Sequence, residues 1–187
     1  MLQIDPLRKP PNAELELSGS KSITNRALII AALAEGRSTL SRALFAEDTL
    51  AMISCLQAFG IDIKHDHTTA TITINGSRGE LDTPQKELWV RQSGTTARFI
   101  LPLSVLAKAP IQVDGDNQIR SRPQNDLLLA LNELGVEITH NGQMGHLPLT
   151  IDGSNLTVKN ISVSGETSSQ YLSALLLVGP CLPEKIT

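Results

Sequence analysis

The sequence predicts a mixed α/β domain built from tandem strand, helix, strand, helix, strand, strand units packed around buried parallel helices. Three observations carry that prediction. Hydroxyl-rich turns open apolar runs three times, and the residues that anchor them, Arg26, Arg98 and Gln170, are spaced by 72 residues each. An amphipathic segment that stops at a glycine and turns into an alternating strand occurs at residues 56–63 and again at 131–138, with Gly60 and Gly135 75 residues apart. Hydrophobic residues make up 41% of the 187 and charged residues 19%, enough apolar mass to bury one large core.

In chain order, the first unit opens with Ser18-Gly19-Ser20-Lys21-Ser22-Ile23-Thr24-Asn25-Arg26, directly before the apolar residues 27–34. A helix starting there aims its unpaired N–H groups and positive dipole end forward, with Lys21, Ser22, Thr24 and Arg26 beside them, which suits an anion such as phosphate. An ordinary N-cap explains any single start of this type equally well; the repetition favours the anion site. Ser38-Thr39-Leu40-Ser41 reads as a short strand. Glu47-Asp48 precedes the helix at Thr49 and reads as a charge complement to its N-terminus rather than as a catalytic carboxylate. After Gly60 comes a strand, then a second at Thr71-Ile72-Thr73-Ile74 beside the turn Asn75-Gly76.

The second unit repeats this order: Ser93-Gly94-Thr95-Thr96-Ala97-Arg98-Phe99-Ile100, a strand at Ile111-Gln112-Val113-Asp114, the helix ending at Gly135, and a strand over 147–151 near Asn141-Gly142. Arg120-Ser121-Arg122-Pro123 lies at the mouth of its second helix, with Pro123 suited to the first turn and both arginines able to hold a second anion. A third unit starts at Gly165-Glu166-Thr167-Ser168-Ser169-Gln170-Tyr171-Leu172 and would need roughly fifty more residues to match the others, so the chain reads as a fragment. The units span 18–84, 85–158 and a truncated 159–187, with 1–17 as a leading segment. The helices over 27–33, 99–106 and 172–178 are apolar nearly all round, which predicts an interior layer whose N-termini open on one face.

Net charge is −3 and aromatics are 3%, which argues against a nucleic-acid surface. Positive charge is focused instead, with Lys21, Arg26, Arg91, Arg98, Arg120 and Arg122 all in or beside turns. The apolar stretches are too short to span a bilayer and no signal peptide opens the chain, so no membrane partner and a cytoplasmic protein are expected. Cys55 and Cys181 have neither metal spacing nor a disulfide framework. His65-Asp66-His67 could place both imidazoles on one side of a strand, but it reads as a solvated loop, as do His140 and His146. Neither a Gly-x-x-x-x-Gly-Lys-Ser/Thr loop nor a Ser-His-Asp order is present.

The run from Ser18 to Arg26, then Ser93-Gly94-Thr95-Thr96-Ala97-Arg98, then Asp114-Gly115-Asp116 through Arg120-Ser121-Arg122-Pro123, then Ser168-Ser169-Gln170-Tyr171, resembles the enolpyruvyl transferase family over nearly the whole chain. The branch acting on UDP-N-acetylglucosamine has Lys-Asn at the first motif and a reactive cysteine in the loop of the third. Ser22 and the cysteine-free loop resemble the branch acting on shikimate 3-phosphate.

That resemblance implies a monomeric two-domain enzyme, each domain holding three βαβαββ units. The cleft between the domains is the active site, and a first strand near residues 15–17 or before links to the second domain. It implies a reaction between shikimate 3-phosphate and phosphoenolpyruvate without metal or organic cofactor. Lys21 would lie between both substrates. Ser22, Arg26, Ser168, Ser169 and Gln170 would join it on shikimate 3-phosphate, and Gln92, Gly94, Thr95 and Arg122 on phosphoenolpyruvate. The proton-transferring carboxylates would come from the missing C-terminal domain, so this chain alone is expected to bind shikimate 3-phosphate weakly and turn over nothing.

One departure stands out: where the family has Gly-Asn before the second motif, this chain has Arg91-Gln92, which puts the phosphoenolpyruvate side, and competition there by glyphosate, in question. A non-catalytic phosphometabolite-binding module on the same repeats is the alternative. An RNA-cyclase-type relative is disfavoured by the absent basic surface and aromatic platforms.

Overall fold

The computed structural model describes residues 6, 8–157, 160–164 and 168–183. The start of the third motif, Gly165-Glu166-Thr167, and the chain end at Thr187 lie outside the described residues. The first unit contains α1 (Lys21–Leu33), β1 (Glu35–Leu40), α2 (Glu47–Ala58), β2 (Asp62–Asp66) and β3 (Thr71–Ser77). The second contains β4 (Leu88–Trp89), α3 (Gly94–Leu103), β5 (Ile111–Asp114), the short α4 (Asn117–Arg120), α5 (Asn125–Glu133), β6 (Glu137–His140) and β7 (Leu149–Asp152), and α6 (Ser169–Val178) follows.

Local chemistry sets these boundaries. The serines of the three hydroxyl turns cap the helices: Ser20 Oγ accepts from Ile23 N (3.4 Å), Ser93 Oγ from Thr96 N (3.1 Å) and Ser168 Oγ from Gln170 N (3.2 Å). At the other end, α2 and α5 stop in the same way. Gly60 and Gly135 take φ of +85° and +82°, conformations that glycine adopts without steric penalty. Ile61 N then reaches back to Leu56 O, as Val136 N does to Leu131 O, both at 3.2 Å.

Strands pair within their unit. The first sheet has the order β1-β3-β2, all antiparallel. The second is β4-β5-β7-β6, with β4 parallel to β5 and the other pairs antiparallel. Ile72 and Ile74 of β3, and Leu149 and Ile151 of β7, turn inward at alternate positions and are fully buried, each contributing about 1.5–3 kcal/mol of transfer free energy. One hydrophobic cluster spans both units.

The interior helix is α3, every residue of which is buried except Arg98. It packs against α6, α2 and α1. The expectation that all three motif helices are buried is corrected at its flanks. Ile23 and Ile30 of α1, and Leu172 and Leu176 of α6, are exposed, because part of each helix surface is uncovered among the described residues. Of the strand expected near residues 15–17 or before, none is found over residues 8–20, where Leu15 and Leu17 are exposed, and residues 1–5 and 7 lie outside the described residues. His65 lies on β2 rather than in a loop, and His67 just beyond it stacks on Phe45 at 4.1 Å between ring centroids. His140 is on β6 and accepts from Gly145 N, while His146 Nδ1 bonds to Arg120 O. No group of three or more potential metal ligands occurs among the described residues.

Candidate anion-binding site

The N-terminus of α3 is the hub. Ser93 caps it, and the Ser93 hydroxyl donates to Asp48 Oδ1 at 2.7 Å. The other carboxylate oxygen of Asp48 accepts from Lys21 Nζ at 3.3 Å, so the first residue of α1 is tied to the cap of α3 through one side chain of α2. Gly94 follows, and a Cβ there would stand 3.1 Å from Arg122 Nη1, which places the Arg122 guanidinium directly against the turn. Arg122 is exposed and has no side-chain hydrogen bond or ion pair among the described residues.

On the opposite flank the third hydroxyl turn joins the same hub. Gln170 Nε2 donates to Thr95 Oγ1 at 3.3 Å, and Gln170 Oε1 accepts from Arg98 Nη1 at 2.8 Å. Arg98 Nη1 also donates to Ser168 Oγ at 3.1 Å, and its guanidinium carbon lies 5.1 Å from the centre of the Tyr171 ring. The Tyr171 hydroxyl donates to Pro123 O at 3.2 Å; burial pushes its pKa up, with Arg98 opposing that shift. Arg26 repeats the arrangement one unit earlier, with its guanidinium 5.3 Å from the Phe99 ring centre and hydrogen bonds to Ser22 O and Ser173 Oγ. Phe99 and Tyr171 each follow directly on a 72-spaced anchor.

Lys21, Gly94, Thr95, Arg122, Ser168 and Gln170 thus meet around one helix start. Ser22, Gln92 and Ser169 stand exposed on the three turns, and Gln92 has no side-chain hydrogen bond among the described residues. Two of the six focused cations are committed elsewhere. Asp114 grips Arg120 through both carboxylate oxygens, which raises the pKa of Arg120 and removes it as an anion ligand. Pro123, expected in the first turn of α5, lies ahead of the cap residue Gln124. Arg91 is ion-paired with Glu47. Its backbone has φ +55°, the left-handed conformation that a glycine takes at lower cost. Arg91 O accepts from Asp116 N at 2.9 Å and would stand 2.4 Å from a Cβ on Gly115, so the second and third motifs interlock there.

Residue-level reading missed Asp48, Thr96 and Tyr171 as cross-unit contacts. The signal available for Asp48 was its place in a first helical turn, which its local role already explained. Cys55 is buried mid-helix, and burial pushes its thiol up to about 12, in keeping with an inert side chain. No helix among the described residues is long and apolar enough to cross a membrane.

Comparison with known proteins gives a consistent result. A sequence model of the family described as EPSP synthase (3-phosphoshikimate 1-carboxyvinyltransferase) matches residues 7–187. The 3-phosphoshikimate 1-carboxyvinyltransferase of Trichormus variabilis is 39% identical over 186 residues, covering 100% of this chain and 44% of the relative. That of Methanothermobacter thermautotrophicus is 40% identical over 161 residues, covering 86% of this chain and 38% of the relative. The solved EPSP synthase from Acinetobacter baumannii superposes with a TM-score of 0.81 at 27% identity, covering 88% of this chain and 38% of that one. The chain therefore spans less than half the length of these relatives, and it belongs to the EPSP synthase family.

Proposed function

We propose that this chain is the shikimate 3-phosphate-holding part of an enzyme that moves the enolpyruvyl group of phosphoenolpyruvate to the 5-hydroxyl of shikimate 3-phosphate. The observation that carries this reading is the meeting of three hydroxyl turns at the start of α3, where Gln170 reaches Thr95 while Asp48 links Lys21 to Ser93. In the reaction, phosphoenolpyruvate takes a proton at its methylene carbon and the 5-hydroxyl oxygen bonds to the neighbouring enol carbon, losing its own proton. The bond from that carbon to the phosphate oxygen then breaks, and loss of a methyl proton restores the double bond. The products are 5-enolpyruvylshikimate 3-phosphate and phosphate.

The side chains of this half bind and orient. Ser22, Ser168, Ser169 and Gln170 suit a polyhydroxylated ring and its phosphate ester, with Arg26 beside them. Lys21 balances charge between the substrates. Gln92, Gly94, Thr95 and Arg122, which has no ion pair among the described residues, suit the phosphate and carboxylate of phosphoenolpyruvate, since a guanidinium takes either group bidentately. The proton-transferring carboxylates belong to the second domain in this reading, and the enzyme works as a cytoplasmic monomer. The Arg91-Gln92 departure alters the phosphoenolpyruvate side, and with it competition by glyphosate. The Glu47 pair neutralises Arg91, so the altered turn adds no free cation.

Calorimetric titration of shikimate 3-phosphate into the 187-residue chain tests the reading. Saturable binding that weakens about tenfold in Ser169→Ala or Lys21→Met, without turnover when phosphoenolpyruvate is added, is expected. Absence of binding, or binding indifferent to both substitutions, would overturn it. In the intact enzyme, Gln92→Asn and Arg91→Gly should change the Michaelis constant for phosphoenolpyruvate and the inhibition constant for glyphosate while leaving that for shikimate 3-phosphate alone.

A further inference from the structure

The Glu47-Asp48 pair has an apparent local explanation: two carboxylates in the first turn of α2 offset the positive end of its dipole. Glu47 fits that account, being largely exposed and paired only at the surface with Arg91. Asp48 does more. Its side chain is 26% exposed and all three of its oxygens are used across elements. Oδ2 accepts from Lys21, Oδ1 accepts from Ser93, and the backbone oxygen accepts from Thr96 Oγ1 at 2.9 Å.

These bonds are interdependent. A serine hydroxyl has one proton and two lone pairs. The proton of Ser93 goes to Asp48 while a lone pair accepts from Thr96 N, the side-chain cap of α3, so the carboxylate fixes the rotation of the capping hydroxyl. It also holds Lys21, whose long stem is otherwise free to move with its side chain 47% exposed. Asp48 is the only ion-pair partner of Lys21 among the described residues.

The second unit supplies an internal control. Seventy-five residues after Asp48 stands Pro123, whose carbonyl accepts from the Tyr171 hydroxyl much as the Asp48 carbonyl accepts from Thr96. The helix that follows Pro123 carries its own first-turn carboxylate, Asp126, but no hydrogen bond or ion pair joins that carboxylate to a cation or a cap serine among the described residues, and the neighbouring Arg122 has no ion pair there. The hydroxyl contact that joins two units thus requires only the backbone carbonyl, whereas the carboxylate at position 48 reaches Lys21 and Ser93.

We propose that Asp48 is a positioning residue of the anion site, holding the Lys21 ammonium beside the start of α3 and fixing the Ser93 cap, so that the ammonium and the helix start grip one ligand in register. The proposal rests on the functional reading above. Removing the carboxylate has two opposed consequences. A ligand that needs Lys21 in one place loses it, whereas a small anion held by net charge gains from the loss of a nearby negative group.

The test uses the 187-residue chain with Asp48→Asn, which keeps the shape and one acceptor oxygen, and with Asp48→Glu. Shikimate 3-phosphate affinity should fall about tenfold in Asp48→Asn while inorganic phosphate affinity stays equal or rises, with Asp48→Glu recovering part of the loss. A loss of both ligands in parallel with the thermal midpoint would reduce Asp48 to a structural role and overturn the proposal, as would unchanged affinity for both. A ligand-free arm separates this idea from the functional reading. Thermal shifts of Lys21→Met and Asp48→Asn, alone and combined, should be non-additive, and additive shifts would overturn the proposal whatever binds. If the wild-type chain ignores shikimate 3-phosphate while the shifts are non-additive and phosphate affinity responds as stated, the functional reading fails and the positioning role stands.

Discussion

The two seams between repeats solve the same problem with different chemistry. At the first, α2 meets the start of α3 through a carboxylate, with Asp48 bonded to Ser93 and Lys21 and the Glu47–Arg91 pair alongside. At the second, α3 meets α6 through a guanidinium, with Arg98 bonded to Ser168 and Gln170 and lying over the Tyr171 ring. In both, a hydroxyl donates to the backbone carbonyl just ahead of or within the first turn of the preceding unit's second helix: Thr96 to Asp48, Tyr171 to Pro123. The carbonyl contact is common to both seams and the charged partner differs. The first seam is therefore suited to fixing a cation, and the second to fixing the hydroxyl and amide side chains of the third turn.

The second seam is expected to be the more fragile, and Arg98→Ala should break it most severely. Two charge-assisted bonds and the ring contact are lost together, about 2–3 kcal/mol, which lowers the melting temperature by roughly 5–10 °C. A loss within 1–2 °C would show that Arg98 is dispensable there. Tyr171→Phe leaves the packing intact but orphans the Pro123 carbonyl, costing about 1 kcal/mol in a denaturant titration.

The same phenol supplies a pH signature. Its folded pKa is raised above the ordinary value of 10.0, so its contribution to stability is fully present below pH 10.0 and is lost as pH rises through the folded value. Denaturation midpoints measured from about pH 9 upward should therefore fall faster in the wild type than in Tyr171→Phe. Parallel profiles would contradict that origin.

Smaller effects sharpen the first seam. Gly94→Ala puts a methyl 3.1 Å from the flexible end of Arg122, so the melting temperature should barely move while the guanidinium is displaced from the turn. Under the proposed function, the expected readout is weaker phosphoenolpyruvate binding in the intact enzyme with shikimate 3-phosphate binding retained. Arg91→Gly is the mildest. Relief of the left-handed backbone is offset by greater freedom of the unfolded chain and loss of an exposed ion pair, leaving a net change of about 0.5 kcal/mol or less by thermal melt. A large destabilisation would mean that the Glu47 pair matters more to the seam than its exposure suggests.

Much of this architecture was legible without coordinates. Serines 20, 93 and 168 announced helix starts and glycines 60 and 135 announced helix ends, because a cap or a left-handed turn is settled by backbone bonds reaching two to five residues along the chain. The 72-residue spacing then implied that the starts come together. Side-chain partnerships were not legible, whether six residues apart or tens. Arg120 looked like a free anion ligand until Asp114 was found holding it, and Glu47-Asp48 looked like dipole complements until Arg91, Lys21 and Ser93 were found against them. Exposure on α1 and α6 was equally hidden, since an all-apolar helix states its preference for burial but not how many sides have neighbours.

The sequence by itself therefore determined the repeat, the ends of its helices and the family, all of which rest on short-range sterics and hydrogen bonds or on residue order. Only the tertiary structure decided which charges cancel and which remain free to meet a ligand. Electrostatic pairing depends on distances of a few ångströms between residues 6 to 44 apart in the chain, and packing sets those distances.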